Sequence, residues 1–182
     1  HGVGLGASRS GHGISANTDI EYLKAASKLR KGNWGMFCIP GIANLDDIQM
    51  ASDYGMKFIR IGTDVKHVPD SEKFINKAKS LGMYVCANFM KSYAVSPEKF
   101  SEMSMLSKEY GSDVIYIVDS AGGMLPNDLE PYFELLNNKG EFKIGFHGHD
   151  NLGLAVANTL RAIQLGAHIV DSSLQGLGRN DP

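Results

Sequence analysis

Two histidines one residue apart are the residues of this sequence best suited to chemistry. His147 and His149 stand in the stretch "FHGHDN", which continues with Asp150 and Asn151. Side chains two residues apart on a β-strand point to the same face, with Cα atoms roughly 6–7 Å apart. Two imidazoles at that spacing can reach one metal ion, at about 2.0–2.2 Å each. A bare pair also suits an exposed edge strand, but this pair ends a predicted buried strand, which favours a metal site. A catalytic ion usually takes three protein ligands and keeps one open position, so a third ligand is needed.

Three further polar residues fall on or just after predicted strands. Arg60 lies within "KFIRIGT", where its head group cannot easily reach water, so we expect it to pair with a carboxylate or an anionic substrate. Ser120 in "VDSAGG" stands where a strand passes into a Gly-rich loop, and it could either hydrogen-bond a ligand or cap the turn. Asp119 has the parity of helix-facing residues, and we expect it to accept hydrogen bonds from backbone amides rather than to bind a metal.

A short apolar run followed by an amphipathic helical pattern recurs along the chain from Gly32 onward. The predicted strands are 34–39, 57–61, 83–90, 114–119, 143–149 and 168–173. The predicted helices are 44–54, 71–81, 97–110, 126–138 and 152–165, each closed by a glycine at 55, 82, 111, 140 or 166. Repeated strand and helix with short connections predicts parallel strands joined by right-handed crossovers.

The alternation of residues along the strands distinguishes an open doubly wound sheet from a barrel. One face of the predicted strands is apolar and branched, whereas the other carries Arg60, Asn88, Ser120 and the two histidines. Such a polar face cannot lie under an apolar helix layer without a large desolvation cost. It can line a barrel mouth, so we predict a single domain over residues 1–182, a TIM (β/α)8-type barrel.

This barrel is expected to be incomplete. Six strands are predicted in full, and "HGVGLG" is interpreted as the tail of an earlier strand that leads into a loop. The first strand–helix unit and the C-terminal segment of an eight-strand barrel are therefore expected to be absent. In "HIVDSSL" the alternation is ambiguous, and the direction of Asp171 stays open.

Composition excludes several classes of protein. The 182 residues include 43% hydrophobic and 21% charged residues, with a net charge of −2 and a pI near 6.3, an ordinary globular mix. The sequence contains no basic run that would attract nucleic acid and no apolar run near the ~20 residues of a membrane span. Cys38 and Cys86 each sit in an apolar run and are expected to be reduced core thiols of a cytoplasmic protein. His12, His67 and His168 show no partner pattern and are assigned to loops or the surface.

Together these motifs resemble the metal-dependent lyases and acyltransferases that share a pyruvate-carboxyltransferase-like barrel. "HGVGLGASRSGHG", the block "IPGIANLDDIQMASDYGMKFIRIGTDV" and "VIYIVDSAGG" are similar to segments of its aldolase branch, the 4-hydroxy-2-oxovalerate type. "FHGHDNLGLAVANTLRAIQLGA" followed by "VDSSLQGLG" is similar to the metal-binding strand, its helix and the next strand. The resemblance covers essentially the whole chain, and the last match is the longest and most specific.

The resemblance implies roles for four residues. His147 and His149 would be two ligands of a divalent cation, Mn²⁺ by preference in the aldolase branch and Mg²⁺ or Zn²⁺ in relatives. Ser120 would hydrogen-bond the substrate, and Arg60 would help to neutralise acidic groups in the pocket. The family's third ligand is an aspartate in an Arg-Asp-Gly segment that this sequence lacks. The catalytic arginine and histidine near that segment are lacking with it, so the catalytic residues are unknown.

Three functional hypotheses remain open on sequence. The first is an aldolase that cleaves 4-hydroxy-2-oxo acids to pyruvate and an aldehyde, with the cation stabilising charge that develops on the keto oxygen. The second is a Claisen-type synthase, because "HDNLGLAVAN" is close to that pattern as well. The third is a non-catalytic barrel fragment that only binds ligands and is itself inactive. By resemblance, an oligomer and an acylating aldehyde dehydrogenase partner are expected.

Overall fold

A computed structural model describes residues 3–11, 13–140 and 143–173. The strands are β1 (Gly35–Cys38), β2 (Phe58–Asp64), β3 (Tyr84–Met90), β4 (Val114–Asp119), β5 (Lys143–Gly148) and β6 (Ile169–Val170). The helices are α1 (Asp19–Ala26), α2 (Leu45–Asp53), α3 (Glu72–Ser80), α4 (Pro97–Glu109), α5 (Glu130–Lys139) and α6 (Ala155–Gln164). Short 3-10 turns occupy Ala7–Arg9, Val65–Ser71, Ser92–Ala94 and Pro126–Leu129. No helix in these ranges is both long and apolar enough to cross a membrane.

The six strands form one parallel sheet in the order β1-β2-β3-β4-β5-β6. A doubly wound sheet reverses its strand order at a switch point, whereas a barrel wall adds each strand beside the previous one. The sequential order therefore confirms the barrel-type prediction. Within the described residues, β1 and β6 are the two edges of this wall.

The two faces of the sheet are as different as the alternation predicted. The outer face packs on the helices through two large apolar clusters, in which Ile59, Ile117 and Phe146 are completely buried. The inner face carries a smaller cluster that includes Cys86 and Tyr116. Strand parity therefore assigned these faces correctly. Because the polar side chains share the inner face, they point toward the same region of the protein.

Helix ends follow the sequence signals closely. Ser96 caps α4 by accepting a hydrogen bond from the Lys99 N–H, and Pro97 occupies the first turn. All five predicted closing glycines have positive φ. The predicted helix 126–138 instead begins as a 3-10 turn, and Pro131 lies in the first turn of the α5 that follows.

The N-terminal prediction is wrong in one respect. Val3–Gly6 forms turns rather than the tail of a strand, although the Leu5 N–H donates to the Phe37 carbonyl at 2.9 Å. Gly4 has a φ of +80°, and an added Cβ would lie 1.9 Å from the Phe37 oxygen. The backbone at Gly4 and Leu5 therefore lies directly against the Phe37 carbonyl of β1. This close contact occurs in a turn and not in an extended strand. Residues 1 and 2 and His12 lie outside the described residues.

Helix α1 was not predicted, although the sequence carries its start signal. Thr18 and Glu21 form a reciprocal capping box, in which each side chain bonds the other residue's backbone N–H. The pattern Thr-x-x-Glu before an apolar residue is the ordinary mark of a helix N-terminus. It was missed because only Leu23 of this helix is buried, so the apolar periodicity is weak.

Both cysteines are buried and unpaired. Burial raises the pKa of the Cys38 thiol to about 12 and that of Cys86 to about 11. With such values only about a thousandth or less of either thiol ionises at pH 8, and the thiolate is the reactive form. We expect iodoacetamide at pH 8 to alkylate both residues at least about 100-fold more slowly than free cysteine. Mass spectrometry with and without urea checks this, and free-thiol rates in the native protein would contradict the burial.

Candidate metal and substrate site

The two histidines lie side by side at the carboxyl end of β5. Their ring centroids are 4.8 Å apart and their planes are inclined at 86°. The Nδ1 atom of His147 lies 2.6 Å from Oδ2 of Asp171, and the Nδ1 atom of His149 lies 2.7 Å from the carbonyl oxygen of Asp119. Each Nδ1 therefore faces an acceptor, and each Nε2 has no hydrogen-bond partner within the described ranges.

This arrangement fits a divalent cation. A histidine that binds a metal through one ring nitrogen commonly donates the other N–H to a carboxylate or a backbone carbonyl. One histidine here has each kind of partner, which leaves two Nε2 lone pairs for coordination. No group of three His, Cys, Asp or Glu side chains that could hold a metal occurs in residues 3–11, 13–140 and 143–173. The two imidazoles are thus the donors that the described residues provide.

Arg60 is fixed from three directions on the inner face. Its Nη2 lies 2.5 Å from Oδ2 of Asp171, and its Nε donates to Oδ1 of Asn88 at 3.2 Å. The guanidinium carbon lies 4.4 Å above the centre of the Tyr116 ring. Opposite Tyr116 in the sheet stands Gly145, where an added Cβ would lie 2.6 Å from that ring. Glycine at this position therefore makes room for the aromatic surface on which Arg60 stacks.

Asp171 is the residue whose direction the sequence left open, and it points to the inner face. Burial on its own would raise the pKa of this carboxyl group. The hydrogen bond from His147 and the charge and hydrogen bond of Arg60 outweigh burial, so the pKa lies below its ordinary value. Burial, together with the Asp171 carboxylate, raises the pKa of Tyr116. Asp171 is therefore an anion and Tyr116 a neutral phenol at physiological pH.

Ser120 also lies at this edge, next to a strained residue. Its Oγ accepts a hydrogen bond of 2.8 Å from the N–H of Lys91, the only non-glycine residue of the described ranges with positive φ (+56°). The Lys91 ammonium lies 3.0 Å from Oδ2 of Asp64 at the end of β2. Because the Ser120 oxygen accepts from Lys91, its own O–H remains able to donate to a ligand. Both the capping and the ligand-binding interpretations therefore remain compatible with its geometry.

Asp119 has the structural role that its parity predicted. Its side chain is completely buried, and its two oxygens accept from the N–H groups of Gly123 and Met124 at 3.1 and 3.0 Å. The carboxylate folds the loop after β4 while its backbone carbonyl receives His149. One residue thus links the loop conformation to the orientation of an imidazole.

Gly122 sets how closely this loop approaches the histidines. Its φ is +61°, and an added Cβ would lie 2.6 Å from both the His149 carbonyl oxygen and the Asn151 N. We expect Gly122→Ala to lower the free energy of unfolding by about 2 kcal/mol, through left-handed strain and overpacking against backbone atoms. Gly123→Ala is the matched control, because nothing lies within 4 Å of its added Cβ. Urea denaturation of both variants measures the difference, and equal stabilities would contradict the close approach.

Comparisons with known proteins agree with this geometry. A family model described as HMGL-like matches residues 10–181. This chain belongs to the HMGL-like family. The family assignment confirms the resemblance to metal-dependent lyases on which the sequence interpretation drew. Metal dependence is general in the HMGL-like aldolases, which accords with the two Nε2 atoms that have no hydrogen-bond partner in the described part of the chain.

Similar proteins give further detail. A 4-hydroxy-2-oxovalerate aldolase of Carboxydothermus hydrogenoformans is 42% identical over 179 residues, which is 98% of this chain and 53% of that protein. Its counterpart in Pseudoalteromonas translucida is 40% identical over 181 residues, with the same coverage of 98% and 53%. The chain thus spans about half the length of these curated relatives.

The fold has solved counterparts. The carboxyl transferase domain of Rhizobium etli pyruvate carboxylase has a TM-score of 0.80 and 17% identity, and the match covers 91% of this chain and 31% of that one. At that identity the likeness concerns the fold alone. It supports the assignment of a TIM-barrel-type fold to this chain.

The sequence pointed to four candidate site residues, and three of the residues that contact them were not predicted as their partners. The structure brings His147 and His149 together, places Arg60 on the same inner face and places Ser120 at the same edge. The partners that were not predicted are Asp171, Asn88 as the acceptor for Arg60, and Lys91. Asn88 shares the inward parity of Arg60 and could have been paired with it on that signal. Nothing local in the sequence marks Lys91, whose conformation depends on contacts with residues distant in the chain.

Proposed function

We propose that the whole protein is a divalent-metal-dependent aldolase that cleaves 4-hydroxy-2-oxo acids, of the 4-hydroxy-2-oxovalerate type, to pyruvate and an aldehyde. The observation that carries the proposal is a pair of imidazoles at the carboxyl edge of a barrel sheet, with both Nδ1 atoms hydrogen-bonded and neither Nε2 atom bonded to any described residue. Active sites of barrels lie at this edge. The names of the relatives at about 40% identity support the same reaction.

In this proposal His147 and His149 hold the cation, Mn²⁺ by preference and Mg²⁺ or Zn²⁺ otherwise. A bound divalent cation would supply Lewis-acid stabilisation of the negative charge that builds on a keto oxygen. Ser120 donates its free O–H to the substrate. Arg60 contributes substrate binding through its positive charge, which also offsets the Asp171 carboxylate.

The proposal also covers the cellular location of the enzyme, its partner and its association with other segments or subunits. Two buried, unpaired cysteines support a cytoplasmic location. The aldehyde product supports an acylating aldehyde dehydrogenase as partner, since a reactive aldehyde is best passed on directly. The edge of the wall at β6, which no other strand of the described residues covers, supports association with further segments or subunits.

The test is pyruvate release by the whole protein. Purified protein is incubated with 4-hydroxy-2-oxovalerate and Mn²⁺, and pyruvate is followed through lactate dehydrogenase and NADH. The proposal predicts turnover that EDTA abolishes and Mn²⁺ restores. Absence of pyruvate with Mn²⁺, Mg²⁺ and Zn²⁺ would contradict it. Product formation that instead requires an acyl thioester and a 2-oxo acid would establish the synthase alternative.

A further inference from the structure

We propose that Asp171, held in place by Arg60, is a positioning residue that fixes the tautomer and the ring orientation of His147. The inference rests on the proposed function, because it concerns how one of the two metal-binding imidazoles is prepared. Arg60 then acts first on Asp171, and through it on the site, rather than only on the substrate.

One carboxylate oxygen of Asp171 contacts both the imidazole of His147 and the guanidinium of Arg60. Oδ2 of Asp171 lies 2.6 Å from Nδ1 of His147 and 2.5 Å from Nη2 of Arg60. The exposed fractions of the side chains are 20% for Asp171, 22% for Arg60 and 27% for His147. All three groups are thus mostly withdrawn from water, where such hydrogen bonds are stronger than at the surface.

The contact dictates which nitrogen of His147 carries the proton. An ionised carboxylate only accepts hydrogen bonds, and a neutral imidazole has one N–H and one lone pair. With Asp171 at Nδ1, the proton of a neutral ring lies on Nδ1 and the lone pair on Nε2. This is the tautomer that can bind a cation through Nε2, and the hydrogen bond also fixes the rotation of the ring.

Arg60 stabilises the buried carboxylate of Asp171 and fixes its position. A buried carboxylate without a cationic partner is costly. The guanidinium is itself held by Asn88 on β3 and by the Tyr116 ring on β4. Asp171 follows β6 while Arg60 stands on β2, so the pair reaches across the inner face of the sheet. The position of the His147 ring therefore depends on four strands besides its own.

His149 provides an internal comparison. Its Nδ1 bonds the backbone carbonyl of Asp119, which no side-chain substitution removes and which requires the same Nδ1–H tautomer. Loss of the Asp171 charge should therefore disturb His147 and leave His149 unchanged. A general loosening of the site would disturb both.

The experiment compares the whole protein with its Asp171→Asn variant. The amide introduced by this substitution can turn its NH₂ to Nδ1 of His147, which favours the opposite tautomer with the proton on Nε2. Nitrogen-15 NMR of the metal-free protein reports the tautomer of each ring. Isothermal titration with Mn²⁺ reports the affinity, which we expect to fall about 10–100-fold, as for other residues that orient metal ligands.

Asp113→Asn is the matched control. Asp113 is also a partly buried carboxylate paired with a cation, Lys79 at 2.8 Å, and it accepts from the Val85 N–H. It precedes β4 and so lies at the opposite edge of the sheet from the histidines. Its substitution should leave both tautomers and the Mn²⁺ affinity unchanged.

The outcomes separate this inference from the proposed function. A wild-type His147 with its proton on Nε2 overturns the inference, whether or not the variant folds. Mn²⁺ affinity of Asp171→Asn within about twofold of wild type also overturns it, while the metal site survives if His147→Ala lowers the affinity by at least about 100-fold. If His147→Ala does not weaken Mn²⁺ binding either, the metal site and the proposed aldolase function fail together.

Discussion

Replacing His147 or His149 by alanine is expected to lower Mn²⁺ affinity and pyruvate release by at least about 100-fold. That exceeds the 10–100-fold range of residues that only orient a ligand, because each substitution removes a coordinating nitrogen. The structural basis for this expectation is that no described residue bonds either Nε2 atom and that the ring centroids are 4.8 Å apart. Titration with Mn²⁺ and the pyruvate assay on the whole protein measure the two effects.

His67→Ala is the control for this prediction. His67 is an exposed histidine of the 3-10 turn after β2, outside the paired imidazoles. Its loss should change neither metal affinity nor pyruvate release by more than about twofold, since surface substitutions away from special features have small effects. Equal losses in the three variants would mean that the assays report stability rather than coordination.

Replacing Phe100 by alanine is expected to lower the free energy of unfolding by about 3–5 kcal/mol. Phe100 is completely buried on α4 and makes edge-to-face contacts with Phe89 at 5.5 Å and with Tyr132 at 5.3 Å. Its removal leaves a cavity between α4, α5 and β3 and breaks both aromatic pairs, each of which adds about 0.5–1.5 kcal/mol. The free energy follows from urea denaturation of the whole protein.

The loss of packing at Phe100 should also affect the connection from β3 to α4, which lies beside the site. The Tyr132 hydroxyl donates to the Val95 carbonyl at 3.2 Å, and Val95 lies in the connection that leads from β3 to α4. Tyr93→Ala is the comparison, because Tyr93 is 42% exposed and should change stability by less than about 1 kcal/mol. A Phe100→Ala variant as stable as Tyr93→Ala would show that this aromatic cluster does not hold the helices to the sheet.

Alternation along strands carried most of what the sequence could predict. Arg60, Asn88 and the two histidines were placed on the inner face because their neighbours are large apolar residues that only the helix layer can bury. The principle holds where apolar and polar residues strictly alternate. Ile169 and Val170 are adjacent and both apolar, so the same reasoning could not assign Asp171.

The rest of the site depends on contacts that no local pattern encodes. The left-handed conformation of Lys91 is held by Ser120 and Asp64, which are 29 and 27 residues away in the chain. The hydrogen bond from His149 to the Asp119 carbonyl requires the approach of β4 and β5 and the fold of the Gly122 loop. The local alternation of the sequence predicted which side chains face the site. Tertiary contacts determine which atoms of those side chains point into it.

Electron spin-echo spectroscopy of Mn²⁺ bound to the whole protein tests the central claim most directly, because it detects nitrogen nuclei coordinated to the ion. We expect modulation from two imidazole nitrogens in the wild type, and from one in His147→Ala and in His149→Ala. Nitrogen modulation that is absent from the wild type, or unchanged in both variants, would show that the paired imidazoles do not hold the metal.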